Sequence, residues 1–203
     1  GQIPYSRNFC IQNKPGSPNI LILGSSFANH LYPGFKLFAD QKSYVVLSLG
    51  DCSFYGKQNS NKCGGDFWEE ENQIRHQALI QGKESLKLIV ISGLQIKGQL
   101  QSESIFKELN FIQQTVPNAQ IVIFLPHFTK GTYAFECYTR PLRSLPSDCD
   151  WELIDVENYF NNINLDKFIE DLTSKFPEII LFDPNSIFCA YGSRCSIIDE
   201  NNL

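Results

Sequence analysis

The chain has 203 residues, 42% of them apolar and 19% charged, and a net charge of −5. That composition fits one fairly large globular domain or two small ones, with enough apolar residues for a sizeable core. With 17 basic against 22 acidic residues and no basic cluster, it argues against nucleic acid or an anionic membrane surface as the main partner, and no apolar run reaches the roughly 18–20 residues of a membrane span.

Residues 1–17 are polar, carry two prolines and read as a lead-in to a domain over 18–203. The opening "GQIPYSRNF" has no signal-peptide pattern and reads as the start of an excised fragment. "NILILGS" (19–25) is a continuous aliphatic run and predicts a buried strand. "FANHLYPGFKLFAD" follows as a helix, with Pro33 near its middle as an expected kink. "SYVVLSLG" (43–50) predicts a second strand. "DFWEEENQIRHQALIQG" (66–82) predicts a helix whose acidic first turn suits the macrodipole. "LKLIVISG" (86–93) is a third strand, and "SESIFKELNFIQQTVP" (102–117) has helical periodicity behind a capping-box pattern. "AQIVIFLP" (119–126) is a fourth strand. "WELIDVENYFNNINLDKFIEDLTSKFP" (151–177) supplies one or two helices, and "EIILFDP" (178–184) a fifth strand. Apolar strands alternating with helices define an α/β three-layer sandwich with a mostly parallel five-stranded sheet in the order 2-1-3-4-5, a flavodoxin-like arrangement. In such sheets the functional site lies outside the carboxyl ends of the strands.

The seven cysteines fall into a pattern. Cys52 and Cys63, Cys137 and Cys149, and Cys189 and Cys195 each bracket a short polar loop, with Cys10 left over. The pairs read as three local disulfides, each stabilising by roughly 2–3 kcal/mol in the chain-entropy model, and they imply an oxidising compartment. The competing reading is metal binding, but no pair has CxxC spacing and the chain has only three histidines, a poor zinc set.

Chemistry is expected at the strand ends. The first strand ends at Gly24-Ser25-Ser26, the second at Gly50-Asp51, the third at Ser92-Gly93-Leu94-Gln95, the fourth at Pro126-His127 and the fifth at Asp183-Pro184. A serine between a strand end and a helix N-terminus is well placed for nucleophilic attack, because free N–H groups and the helix dipole favour negative charge there. It is equally well placed as an N-cap with no catalytic role. Gly24 eases the turn, but neither reading requires it. Among the histidines, His30 lies one turn after Ser26 on the same helix, His127 ends the fourth strand, and His76 sits on a surface-helix pattern and reads as solvated. "DFWEEEN" reads as a solvated face rather than a carboxylate dyad, and Asp183, before Pro184, as a strand end and turn. No P-loop or GxGxxG is present.

"ILGSSFANHLYPG" resembles the first block of the SGNH (GDSL-type) hydrolase superfamily, closest to the SGNH domains fused to membrane acyltransferases of the acyltransferase-3 family. The closing "LFDPNSIFCAYGSRCSIIDENN" resembles those domains too. The resemblance implies an SGNH hydrolase fold, with Ser26 as nucleophile and the N–H of Gly50 in the oxyanion hole. The family's next oxyanion donor is an asparagine after the third strand. Here that stretch is "SGLQ", where Gln95 stands as a substitute amide. Ser25 replaces the usual Asp or Asn before the nucleophile. The family's acid and base sit in a D-x-x-H block shortly after the last cysteine, and the sequence is expected to be cut before it. The implied function is extracytoplasmic O-acyl transfer, or ester hydrolysis, from an acyl donor to a glycan or similar alcohol. It needs no metal or organic cofactor and no nucleic acid, and the resemblance suggests a membrane acyltransferase domain of the same parent chain as partner. The rival is a non-catalytic domain that uses the cleft to bind a glycan or a partner domain.

Mass spectrometry of the unreduced protein should show Cys52–Cys63, Cys137–Cys149 and Cys189–Cys195 linked. Free thiols at two or more pairs would overturn the assignment to an oxidising compartment.

Overall fold

In the computed structural model the described residues are 10–51, 66–94, 99–126, 150–152, 163–188 and 194–196. The strands are β1 (Cys10–Gln12), β2 (Ile20–Ser25), β3 (Val46–Asp51), β4 (Leu88–Ser92), β5 (Gln120–Phe124), β6 (Asp150–Glu152), β7 (Ile180–Phe182) and β8 (Arg194–Ser196). The helices are α1 (Ser26–Gln41), α2 (Asp66–Gly82), α3 (Gln99–Thr115), α4 (Leu165–Lys175) and the single turn α5 (Asn185–Phe188).

The main sheet has the order β1-β3-β2-β4-β5-β7. From β3 to β7 all pairings are parallel, in the order that the alternating pattern predicts for its five strands. The sheet has six strands rather than five. The extra one is β1, antiparallel to β3 with Ile11 opposite Ser48, and it comes from the stretch read as a polar lead-in. Three residues are too few to show a two-residue period, so the sequence carries no strand signal there. Asn13 fixes this edge instead. Its Oδ1 accepts from the Val46 N–H at 2.9 Å, and its Nδ2 donates to Asp40 Oδ1 at the end of α1, also at 2.9 Å.

The aliphatic runs are explained by burial on both faces of the sheet. Alternation sends Leu21 and Leu23 of β2, Ile89 and Ile91 of β4, and Ile121 and Ile123 of β5 to one face. There they pack with Leu79 of α2, Ile105, Leu109 and Ile112 of α3, and Phe168 and Leu172 of α4. Ile20, Ile22, Val46 and Val90 point to the other face, onto Ala28, Tyr32 and Ala39 of α1. The result is three layers; among the described residues α1 covers one face and α2, α3 and α4 the other. α1 runs through Pro33 without ending. The proline removes the N–H that would have bonded the carbonyl of Asn29.

A second correction concerns residues 150–152. "WELIDVEN" favours a helix locally, but Trp151 lies in β6, paired antiparallel with β8 so that it faces Cys195. Long-range pairing overrides the local preference. The helix expected further along is α4.

Leu23 is fully buried in the central strand. Leu23→Ala should destabilise the fold by about 2–5 kcal/mol, which for a domain of this size lowers the thermal midpoint by about 2–4 °C per kcal/mol. Calorimetry checks this, and an unchanged midpoint would contradict the central placement of β2.

Candidate functional site

The site forms where β2, β3 and β4 end side by side. The register sets Gly24 against Gly50 on one side and against Ser92 on the other. At this level the neighbouring atoms approach the glycines so closely that a side chain on them meets a clash. A Cβ on Gly24 would run into the carbonyl of Ser92, and its φ of +153° is one that other residues rarely adopt. A Cβ on Gly93, at φ +73°, would strike Ser25 Oγ. A Cβ on Gly50 would lie 2.7 Å from both Asn29 Oδ1 and the Ser25 carbonyl oxygen. Gly24 is therefore required by its neighbour across the sheet, a constraint invisible in the local sequence.

The two serines divide the roles that sequence alone leaves open. Ser25 has extended backbone angles, and its hydroxyl accepts from the Phe27 N–H at 3.4 Å. It is the N-cap of α1 and is half-buried. Ser26 is the first residue of α1 and is exposed. No described residue bonds its hydroxyl. It sits in the first turn of α1, at the positive end of the macrodipole. A charged oxygen bound to a carbon attached at Ser26 would find donors there without any rearrangement of the backbone.

Asn29 is the residue that the sequence analysis missed. One turn along α1, its Oδ1 is shielded from solvent and has no hydrogen-bond partner, and it fills the space that Gly50 leaves empty. The available signal was its spacing from Ser26, since residues three apart share a helix face.

Other candidates lie elsewhere. His30 is exposed, and its ring meets Phe27 edge-on at 6.0 Å; it has no bond to Ser26 Oγ. His76 is half-buried and paired rather than freely solvated. Its Nε2 lies 2.9 Å from Glu108 Oε2, and its ring packs 4.0 Å from that of Phe111. It joins α2 to α3 on the sheet face opposite α1. Asp183 does end its strand in a turn. Its Oδ1 accepts from the backbone N–H of Asn185 at 2.9 Å and from Asn185 Nδ2 at 2.7 Å. The buried Asn185 also donates to the carbonyl of Pro126 at 3.0 Å, tying the end of β5 to that of β7. Among the described residues, no group of three or more His, Cys, Asp or Glu side chains could hold a metal ion. Gln95, His127, Cys52, Cys63, Cys137, Cys149 and Cys189 lie outside the described residues, and Cys195 is placed by its backbone in β8.

A parallel sheet with a serine exposed at the turn from its central strand into a helix is the architecture of the SGNH hydrolases. The sequence matches the family of SGNH domains fused to AT3 domains over residues 2–203, and the chain belongs to that family. Among solved structures, its fold is similar to the periplasmic domain of the lipopolysaccharide acetyltransferase of Salmonella ser. Paratyphi A. The TM-score is 0.56 at 16% identity, covering 94% of this chain and 74% of that one. No curated protein matches the sequence. Among the described residues, no helix is long and apolar enough to cross a membrane.

The division of labour between the serines can be measured. Ser25→Ala should cost about 1 kcal/mol of stability for the lost cap. Ser26→Ala should stay within about 0.5 kcal/mol of the parent. Denaturant unfolding reads both, and equal costs would mean that the hydroxyls share the capping role.

Proposed function

We propose that the chain is an extracytoplasmic acyl-transfer domain in which Ser26 is the nucleophile. The observation that supports this reading is the exposed Ser26 at the start of α1, relieved of capping by Ser25, whose carbonyl borders the side-chain-free Gly50. Ser26 Oγ bonds to the acyl carbon as a base removes its proton. The carbonyl π electrons move to oxygen, and the backbone N–H groups of Ser26 and Gly50, with the amide of Gln95, hold the resulting anion. Collapse breaks the ester C–O bond, and the departing alkoxide takes the proton from the base. A hydroxyl of a glycan or similar alcohol then repeats the steps in reverse and carries the acyl group away. Water in its place gives ester hydrolysis.

The base in this reading is the histidine of a D-x-x-H block following Leu203, oriented by the aspartate three residues before it. No histidine among the described residues is bonded to Ser26. The acyl donor is delivered by a membrane acyltransferase domain of the same parent chain, a proposal supported by the family's fusion to AT3 domains. The three loop-closing cysteine pairs and the periplasmic origin of the similar structure support an extracytoplasmic location. Neither metal nor cofactor enters the scheme.

On a small activated ester, residues 1–203 alone should show little or no turnover, because loss of the base from a serine hydrolase costs on the order of 10⁶ in kcat. The chain extended through a native D-x-x-H block should recover activity, and Ser26→Ala in it should abolish the gain. Rapid turnover by the short chain would instead make His30 or His127 the base. An extended chain that is inert with all acyl donors tried would favour a non-catalytic domain that binds a glycan or partner domain.

A further inference from the structure

We infer that Asn29 supplies a further side-chain donor to the oxyanion site, beside Gln95, an assignment that rests on Ser26 being the nucleophile. Besides two backbone N–H groups, the proposed scheme draws on one side-chain amide, Gln95, which stands in "SGLQ" where the family has an asparagine. A second side-chain amide reaches the same neighbourhood from a different element. Asn29 follows Ser26 by three residues on α1, and the Cα–Cβ bonds of a helix tilt towards its N-terminus, so this side chain leans back towards the turn that carries Ser26.

The two branches of the amide are in different surroundings. Oδ1 is shielded from solvent against Gly50, in the space that any larger residue there would need. Nδ2 is neither bonded to a described residue nor shielded from water. A buried acceptor without a donor is unfavourable by about 1–3 kcal/mol, a cost that a side chain kept only for packing would not carry. With Oδ1 against Gly50, the other branch of the planar group, Nδ2, is the one turned from the glycine. When the substrate carbonyl sits between Ser26 and Gly50, Nδ2–H is the free donor beside it. The competing geometry turns the amide over, since its oxygen and nitrogen are nearly isosteric. Nδ2 would then donate to the Ser25 carbonyl, which borders the same space. In that case Asn29 would brace the start of α1 and do nothing for the substrate.

The test uses a fluorophosphonate probe on the whole chain, with imidazole supplied as the base. Ser26 Oγ bonds to phosphorus, fluoride leaves, imidazole takes the serine proton, and the phosphonyl oxygen occupies the oxyanion position. The labelling rate is read for the parent, Ser26→Ala, Asn29→Ala and Asn29→Asp, each with its thermal midpoint. Labelling is expected to vanish in Ser26→Ala and to slow on the order of 10²-fold in Asn29→Ala. Asn29→Asp should be slowed most at high pH, where its carboxylate repels the developing negative oxygen. Its rate relative to the parent should rise as the pH falls and the carboxyl gains a proton that it can donate. A folded Asn29→Ala that labels at the parental rate overturns the assignment, and so does an Asn29→Asp whose rate relative to the parent is independent of pH. If the parent labels no faster than Ser26→Ala, the nucleophile reading itself fails and the role of Asn29 falls with it.

Discussion

The close approach of three backbones at the ends of β2, β3 and β4 is the constraint on which the rest of the site depends. Parallel strands hydrogen-bonded in register bring Gly24 level with Gly50 and Ser92. At that level a methyl group on Gly24 would meet the carbonyl of Ser92. The chain can leave the sheet there and start a helix at once because no side chain projects from Gly24 or Gly50. The turn is tight enough for adjacent serines to serve different purposes, with Ser25 folded back onto the first helical turn and Ser26 facing outward.

The sheet's burial explains how rigidly this edge is held. β2 is covered on both faces and paired on both sides, and Ile20, Leu21, Ile22 and Leu23 are all but inaccessible to water. A shift of one residue in its register would move Leu21 and Leu23 into the α1 layer, so the hydrophobic pattern pins the register. The register in turn fixes which backbone atoms meet at the strand ends. Core packing and site geometry are in this sense the same specification, made with aliphatic residues over 20–23 and completed by glycine and serine over 24–26.

Much of this was legible in the sequence. Strands such as "ILIL" and "LIVIS" announce themselves by uninterrupted aliphatic content, and their alternation with helices predicts the order of the parallel strands and the edge at which the serines emerge. Features that depend on distant partners were not legible. β1 is three residues held by Asn13. β6 is a strand because β8 lies beside it. The need for glycine at position 24 comes from Ser92, and His76 is held half-buried against Glu108 and Phe111. Asn29 belongs with these. Its spacing from Ser26 puts it on the same helix face, but "FANHLYPG" does not say what that face meets until the end of β3 is set beside it. The choice between a capping and an exposed serine had the same character, because both residue types and both positions suit either role until the backbone angles are known.

The two ends of the main sheet carry a consequence of a different kind. The interior strands are of the composition that pairs readily with strands of other molecules when left exposed, but here they are closed off by β1 and β7, each only three residues long. So short an edge offers few unpaired backbone groups to an incoming strand. On the β1 side, Asn13 uses its backbone N–H and its side-chain amide to continue the ladder past the last paired residue, and the chain then turns away. Among the described residues, then, a sheet built from such aliphatic strands has short borders, and the residues that form them are among the least conspicuous in the sequence.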